Sequence, residues 1–243
     1  MGRILALLYG IGSYLVFFVT FVYAIGFVGN VLVPKSINSG RSASLARSIL
    51  IDAVLLGLFA IPHSVMARPR FKRWWTRIIP EVIERSTYVF VSSLLLTFLF
   101  WQWQPIPSVI WEVRNPVGRA VLQVLFWMGW AIVVLSTFLI SHFDLFGLRQ
   151  VYLHQVGKPS KDSDFRTPGP YKLVRHPLML GFIIAFWSTP KMTFGHLIFA
   201  VGTTTYILIA LQFEERDLVR IHGNAYESYR ERVSMLLPIP KNR

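Results

Sequence analysis

The chain of 243 residues contains no cysteine. Disulfide bonds, thiolate metal sites and a cysteine nucleophile are therefore excluded. Acidic residues are also scarce, with 12 Asp and Glu against 25 Lys and Arg, which gives a formal net charge of +13. Polar sequence is limited as well, because 53% of the residues are hydrophobic and the mean hydropathy is +0.49. A chain this apolar is not an ordinary water-soluble domain.

Long apolar runs occupy most of the sequence instead. Four of them are long enough to cross a bilayer as helices, at residues 4–30, 49–66, 87–103 and 120–141. A helical hairpin follows at 178–213, with a first arm that is too short to cross upright and a full-length second arm from residue 194. We therefore expect an all-α polytopic transmembrane helical bundle, with residues 1–243 forming a single domain.

The positive charge divides unevenly between the two sides of such a bundle. When successive loops are assigned to alternate sides, 19 of the 25 Lys and Arg fall on the side that holds both termini. The positive-inside rule then places both termini in the cytoplasm, as expected for a multi-pass protein of the inner membrane. Because topology accounts for the charge, we expect membrane lipid as a partner and no nucleic acid.

A polar segment, residues 169–177, stands between apolar helices and ends in Arg175, His176 and Pro177. Pro177 suits the first position of a helix. The N–H groups of residues 178–180, including Leu180, would then be unpaired at a helix start, where the helix dipole favours an anion. Gly181 would let a ligand or a neighbouring helix approach the backbone closely.

An acidic pair, Glu214 and Glu215, ends the second arm of the hairpin. Each cluster also has an ordinary explanation, since Arg-His-Pro is typical of a helix cap and Glu-Glu of a solvated helix end. Their occurrence at one membrane surface favours a shared ligand with a carboxylate, an ammonium and a sugar. S-adenosylmethionine has these groups, so we expect it as the cofactor.

The motifs resemble a known family. Gly169-Pro170-Tyr171, Arg175-His176-Pro177, Gly181, Glu214-Glu215 and the tyrosines at 226 and 229 resemble the C-terminal signature of the isoprenylcysteine carboxyl methyltransferase superfamily of integral-membrane methyltransferases. Residues 63–69 and 141–147 resemble its NnrU-like branch, and residues 23–36 are similar to the thiol-methylating members of that branch.

The resemblance implies a cofactor-binding part at about 142–233. Within it, Tyr226, Tyr229 and Val233 fall on one side of residues 225–233, which predicts an interfacial helix under the bundle. The resemblance also implies S-adenosylmethionine-dependent methylation of a small thiol, with methanethiol, converted to dimethyl sulfide, as the best candidate. A lipid, prenyl thiol or prenyl carboxylate substrate is the enzymatic alternative, and a non-enzymatic transporter or assembly protein the other class. The expected cofactor contacts are Tyr171, Arg175, His176, Pro177, Leu180, Gly181, Glu214 and Glu215.

Methylation of a thiol requires a base or a positive field, because the thiolate is the competent nucleophile and an alkanethiol with a pKa above about 8.5 is mostly protonated near neutrality. His63, His142 and Asp144 are candidates for the base, with Asp144 fixing the tautomer of His142. Arg149 and Arg175 could instead stabilise a thiolate by their charge. Both histidines are also explained as hydrogen-bonded helix-end residues. No histidine spacing supports a metal, so we expect none.

The tail contains a further helix signal after Gly223. Asn224 and Glu227 have the spacing of a capping box, which predicts that a new helix begins at Asn224.

Overall fold

The computed structural model describes residues 2–40, 43–159 and 167–239. The chain divides into two compact units: residues 1–108, 141–162 and 193–196 form the first, and residues 109–140, 163–192 and 197–243 form the second. The predicted cofactor-binding part, 142–233, is therefore split between the units, and the single domain stays a prediction. Five basic residues of the charge count lie outside the described residues, namely Arg41, Lys161, Arg166, Lys241 and Arg243.

The structure is built from helices with two short strands. In chain order the elements are α1 (Arg3–Gly29), α2 (Leu45–Ala67), α3 (Pro69–Trp75), α4 (Glu84–Gln102), β1 (Val109–Glu112), α5 (Pro116–Ile140), α6 (His142–Leu145), α7 (Leu148–Gln155), α8 (Pro177–Trp187), β2 (Lys191–Thr193), α9 (Phe194–His222) and α10 (Asn224–Arg232). Turns of 3-10 helix precede α4 at Glu81–Ile83 and precede α8 at Gly169–Lys172.

Within the described residues, five helical segments are long and apolar enough to cross a membrane: α1, α2, α4 with its 3-10 turn, α5 and α9. Their exposed side chains are apolar, as at Val19, Ile61 and Val117, which are 66%, 66% and 71% exposed. Lipid rather than water suits such surfaces. The predicted multi-pass helical bundle is confirmed, and the second arm of the hairpin continues past residue 213 as one helix, α9, which ends at His222 before Gly223.

In the first unit, α1 packs against α4 and α7. A Cβ atom at Gly10 of α1 would lie 2.5 Å from Cγ2 of Val151, so only glycine allows α7 this close. Gly147, at φ +84°, makes the turn into α7 against Ser86. These contacts hold the segment that carries His142 and Asp144 against α1 and α4.

In the second unit, α5 and α8 form the closest helix pair. A Cβ atom on Gly181 would lie 2.7 Å from the Gly129 carbonyl oxygen, and one on Gly129 would lie 2.7 Å from the Gly181 carbonyl oxygen. Facing small residues allow helices to pack closely in a membrane. The close approach predicted at Gly181 is therefore made by a neighbouring helix, which fixes where α8 begins.

The first arm of the hairpin is short, as predicted, because α8 ends at Trp187. Trp187 Nε1 donates to Thr204 Oγ1 at 2.9 Å, and Thr204 lies roughly 15 Å along α9 from its start. Residues 188–193 then run as non-helical backbone. Strand β1 pairs with β2, the Val113 N–H donates to the Pro190 carbonyl at 2.8 Å, and Trp111 Nε1 donates to the Thr189 carbonyl at 3.2 Å.

The capping-box interpretation of Asn224 is wrong. Helix α10 does begin at Asn224, but its N-cap is Gly223, at φ 53°, with no side-chain cap hydrogen bond. The N–H groups of Tyr226 and Glu227 donate to the Gly223 carbonyl instead. Gly223 therefore makes the bend between α9 and α10, since a positive φ suits glycine.

Candidate functional site

The backbone of residues 174–176 is held by the C-terminal segment of the same unit. The Arg175 N–H donates to the Ser234 carbonyl at 2.9 Å, and the His176 N–H donates to the Met235 carbonyl at 3.1 Å. Val174 and Ser234 form a parallel β-bridge. The residues after α10 therefore fix the chain that leads into α8.

Arg175 is buried and uses three nitrogens within the chain. Its Nε donates to Glu215 Oε1 at 2.7 Å and its Nη2 lies 2.6 Å from the same oxygen. Its Nη1 donates to the Arg230 carbonyl at 3.1 Å and to the Val233 carbonyl. The rigid guanidinium fork thus joins the start of α8 to α9 and to the end of α10.

His176 is the N-cap residue of α8, and its ring reaches the same carboxylate. Its Nε2 lies 3.2 Å from Glu215 Oε1, and the side chains of His176 and Glu215 are only 7% and 12% exposed. Two basic side chains, Arg175 and His176, therefore contact the largely buried carboxylate of Glu215. The predicted convergence of the basic and acidic clusters is present, and it takes the form of direct contact between them.

Three buried tyrosines adjoin this cluster. The Tyr229 hydroxyl donates to the Tyr171 carbonyl at 2.5 Å, and the rings of Tyr226 and Tyr229 are 5.8 Å apart. Burial raises the pKa of Tyr229 to about 12, with Arg175 opposing that shift. Burial, followed by the negative charge of Glu214, raises the pKa of Tyr171. Both phenols are therefore neutral hydrogen-bond donors near neutral pH.

Two buried hydroxyls adjoin the cluster. Among the described residues, neither Tyr171 Oη nor Ser136 Oγ makes a hydrogen bond of good geometry, although the Ser136 hydroxyl lies close enough to Tyr171 to lower the pKa of that phenol. Tyr171 is 8% exposed and Ser136 is 1% exposed. Buried polar atoms are normally hydrogen-bonded, so these two hydroxyls, with half-buried Glu214 nearby, offer polar contacts to a ligand.

The start of α8 agrees with the sequence in part. Pro177 occupies the first turn, as predicted. The Leu180 N–H, predicted to be unpaired, donates to the His176 carbonyl at 3.1 Å, so that part of the prediction is wrong. The Leu180 N–H donates the first hydrogen bond of α8, so the N–H groups of Leu178 and Met179 are the ones that precede it at the helix start.

The predicted His142–Asp144 pair is not formed. His142 Nε2 lies 2.8 Å from the Tyr14 hydroxyl, whereas the carboxylate of Asp144 accepts from Arg149 Nη1 at 2.9 Å and from Gln150 Nε2 at 2.8 Å. Asp144 therefore neutralises Arg149 and does not orient the imidazole.

His142 lies among aromatic rings of the first unit. The ring of Phe146 is 4.8 Å away and that of Tyr14 is 5.7 Å away, and Phe17 stacks on Phe146 at 3.9 Å. Burial lowers the pKa of His142. The imidazole is consequently neutral near neutral pH and able to accept a proton.

His63 is held inside the first unit by α4. Its Nδ1 lies 3.0 Å from Ser92 Oγ, its Nε2 lies 2.9 Å from the Tyr88 hydroxyl, and its ring stacks on Phe59 at 5.1 Å. This geometry matches the explanation of His63 as a hydrogen-bonded helix-end residue, and its role as a base stays a prediction.

Several contacts of the site carry no signal in the sequence. The carbonyls of Arg230, Val233, Ser234 and Met235 bind the 174–176 segment through backbone atoms, which any residue supplies. Ser136 is one hydroxyl among many in an apolar helix. Tyr14 lies in a long apolar run of the sequence, and only its contact with His142 distinguishes it. Over the part of the chain that the structure describes, no three His, Asp or Glu residues group as metal ligands would.

Comparisons with known proteins find relatives over nearly the whole chain. It is 58% identical over 240 residues to methanethiol S-methyltransferase of Mycobacterium tuberculosis, covering 99% of this chain and 98% of that protein. It is 55% identical to methanethiol S-methyltransferase of Crocosphaera subtropica, covering 98% and 93%. Human nurim is 31% identical over 201 residues, covering 76% and 75%. No solved structure matches the chain.

The family comparison covers most of the same region. The model of the NnrU family, described as NnrU protein, matches residues 50–221, which run from within α2 to nearly the end of α9. This agrees with the resemblance noted at residues 63–69 and 141–147. The chain belongs to the NnrU protein family.

Proposed function

We propose that this protein methylates methanethiol to dimethyl sulfide, with S-adenosylmethionine as the methyl donor. The observation that carries the proposal is the likeness over 99% of the chain to a methanethiol S-methyltransferase. The buried cluster of Arg175, His176 and Glu215, with its adjoining tyrosines, supports a polar cofactor site in the second unit. A transporter would favour charges at mid-membrane, whereas this cluster joins the start of α8 to the part of α9 that follows its apolar sequence.

The residues of the second unit fit S-adenosylmethionine, and each has a different role. Arg175 is engaged by Glu215 and by backbone carbonyls, so we assign it to holding the site together. The N-terminus of α8, at Leu178 and Met179, suits a carboxylate. Glu214 suits an ammonium or ribose hydroxyls, and the hydroxyls of Tyr171 and Ser136 suit polar atoms of the ligand. S-adenosylmethionine supplies an electrophilic methyl group on a positively charged sulfur.

Binding of the cofactor can be tested without turnover. We expect S-adenosylhomocysteine to bind the purified protein, and Glu214→Ala and His176→Ala each to weaken binding by at least tenfold in calorimetry. Glu112→Ala is the matched control, because Glu112 lies in β1 and makes an exposed pair with Arg114 at 3.5 Å. Unchanged affinity in both site variants would place the cofactor elsewhere.

The substrate can be tested in the gas phase. Proteoliposomes given S-adenosylmethionine and methanethiol should release dimethyl sulfide, measured by headspace chromatography. A preparation that binds the cofactor but releases no dimethyl sulfide, and instead methylates a lipid or prenyl thiol, would establish the alternative substrate class.

We also propose that the protein lies in the inner membrane with both termini in the cytoplasm. The uneven distribution of Lys and Arg supports this orientation.

A further inference from the structure

The Tyr171 carbonyl takes its hydrogen bond from a side chain of α10. The Tyr229 hydroxyl donates to this carbonyl at 2.5 Å, and the two residues are 58 positions apart in the chain. The N–H groups that follow the 3-10 turn, on Val174 and Arg175, donate to other carbonyls. Tyr229 therefore fixes the backbone at the residue that carries the Tyr171 ring.

The ring of Tyr171 lies beside α5 and α9 of the same unit. Burial and then the charge of Glu214 on α9 raise the pKa of its phenol, whereas Ser136 on α5 lowers that pKa. Among the described residues, the phenol makes no hydrogen bond of good geometry, although Tyr171 is only 8% exposed. A buried hydroxyl is normally hydrogen-bonded, so this one suits a polar ligand that binds beside Glu214.

The other contacts from the C-terminal segment hold a different part of the chain. They fall on residues 174–176, beyond Leu173, through the bridge at Val174 and the backbone bonds to Ser234 and Met235. Loss of the Tyr229 hydroxyl therefore leaves those contacts in place and loosens the turn that carries Tyr171. Binding groups must be held to within about 0.5 Å of their productive geometry, so a loosened turn weakens binding.

We propose that Tyr229 is a positioning residue for the methyl donor, because its bond to the Tyr171 carbonyl sets where the Tyr171 hydroxyl meets that donor. This inference rests on the proposed function, and it adds a residue that touches no donor atom itself. The Tyr171 hydroxyl makes the contact, and it binds polar groups of the donor beside Glu214.

Tyr229→Phe tests the role, because it removes the hydroxyl and keeps the ring. We expect this variant to bind S-adenosylhomocysteine about three- to tenfold more weakly in calorimetry, the usual effect of one hydrogen bond. Tyr171→Phe should weaken binding to a similar extent. The double variant should bind no more weakly than Tyr171→Phe alone, since both changes remove the same contact with the donor.

A role in stability alone gives a different pattern. The two losses of affinity would then multiply in the double variant, because independent changes add in free energy, and that result overturns the positioning role. Replacement of Tyr229 by 4-aminophenylalanine restores a weaker hydrogen-bond donor at the same place and should recover part of the lost affinity. No recovery also overturns the role.

Tyr23→Phe is the matched control. The Tyr23 hydroxyl donates to the Lys35 carbonyl at 2.8 Å in the first unit, so the variant loses the same kind of bond away from the donor site. We expect its affinity for S-adenosylhomocysteine to be unchanged. A loss equal to that of Tyr229→Phe would show a general effect on the fold and would remove the positioning role.

The results separate this inference from the proposed function. Dimethyl sulfide release by the wild type, with equal affinities of the wild type and Tyr229→Phe, upholds the function and overturns the positioning role. A wild type that binds no S-adenosylhomocysteine and releases no dimethyl sulfide overturns both. If Tyr229→Phe does not fold, the 4-aminophenylalanine variant replaces it. Its loss of affinity must then vanish in the Tyr171→Phe background, and a loss that persists there overturns the role.

Discussion

At the scale of single residues, Glu215 is the acceptor on which the second unit's polar cluster depends. It receives Arg175 at 2.6 Å and His176 at 3.2 Å in a buried setting. A buried ion pair is not by itself strongly stabilising, but the loss of one partner leaves an uncompensated buried charge.

Glu215→Ala should therefore destabilise the protein by about 3–5 kcal/mol. The measurement is denaturant unfolding of the purified protein in detergent. Glu112→Ala, which breaks an exposed pair with Arg114, should cost less than about 1 kcal/mol. Equal costs for the two variants would contradict the assignment of Glu215 as a buried structural acceptor.

The sequence predicted which charges meet, but not how they are used. Arg175, His176 and Glu215 were placed together because short loops bring the ends of adjacent helices to one membrane surface. Arg175 was expected to bind a ligand, yet it binds Glu215 and two carbonyls, because a buried guanidinium takes whichever acceptors the folded backbone presents. Asp144 was expected to hold His142, but Arg149 and Gln150 are better placed for its oxygens.

At the scale of elements, the packing of α8 against α5 decides where the 169–177 segment lies. The two helices meet at Gly129 and Gly181, where each backbone faces the other's carbonyl oxygen. The sequence indicated a close approach at Gly181 but not its partner, since Gly129 is one of several glycines in apolar runs. Helix boundaries were predictable because hydropathy and proline mark them, whereas helix pairing depends on contacts between distant residues.

Gly181→Ala should force α5 and α8 apart. Its Cβ would lie 2.7 Å from the Gly129 carbonyl oxygen, so we expect a loss of about 1–3 kcal/mol, the usual cost of overpacking. The affinity of this variant for S-adenosylhomocysteine should fall together with its stability. Gly12→Ala on α1 is the control, because no atom lies within 4 Å of its added Cβ and alanine favours helix. Thermal unfolding checks both variants, and an unaffected Gly181→Ala would show that the helices can separate at no cost.

At the scale of the whole molecule, the composition determined the class of protein and the charge asymmetry determined its expected orientation. The apolar runs predicted the spans because a bilayer requires helices of about 20 residues. The division into two units was not predictable, since each unit takes residues from several separate parts of the chain.

Reporter fusions test the orientation. Alkaline phosphatase fused after residue 243, or ahead of residue 1, should be inactive, and a fluorescent protein at either end should be bright. A phosphatase fusion inserted at residue 115, between β1 and α5, should be active. Activity at either terminus would reverse the assignment of sides.

The break between α8 and α9 has a consequence for how the chain is made. After Ser188, whose N–H donates to the Ile184 carbonyl at 3.0 Å, residues 189–193 have no helical hydrogen bonds of their own. In a membrane, non-helical backbone is tolerated only where protein covers it. Residues 109–113 supply that cover and leave the ribosome well before 188–193. Residues 109–113 therefore reach the membrane before residues 188–193. The hydrogen-bond partners of the break between α8 and α9 are present when the hairpin is inserted.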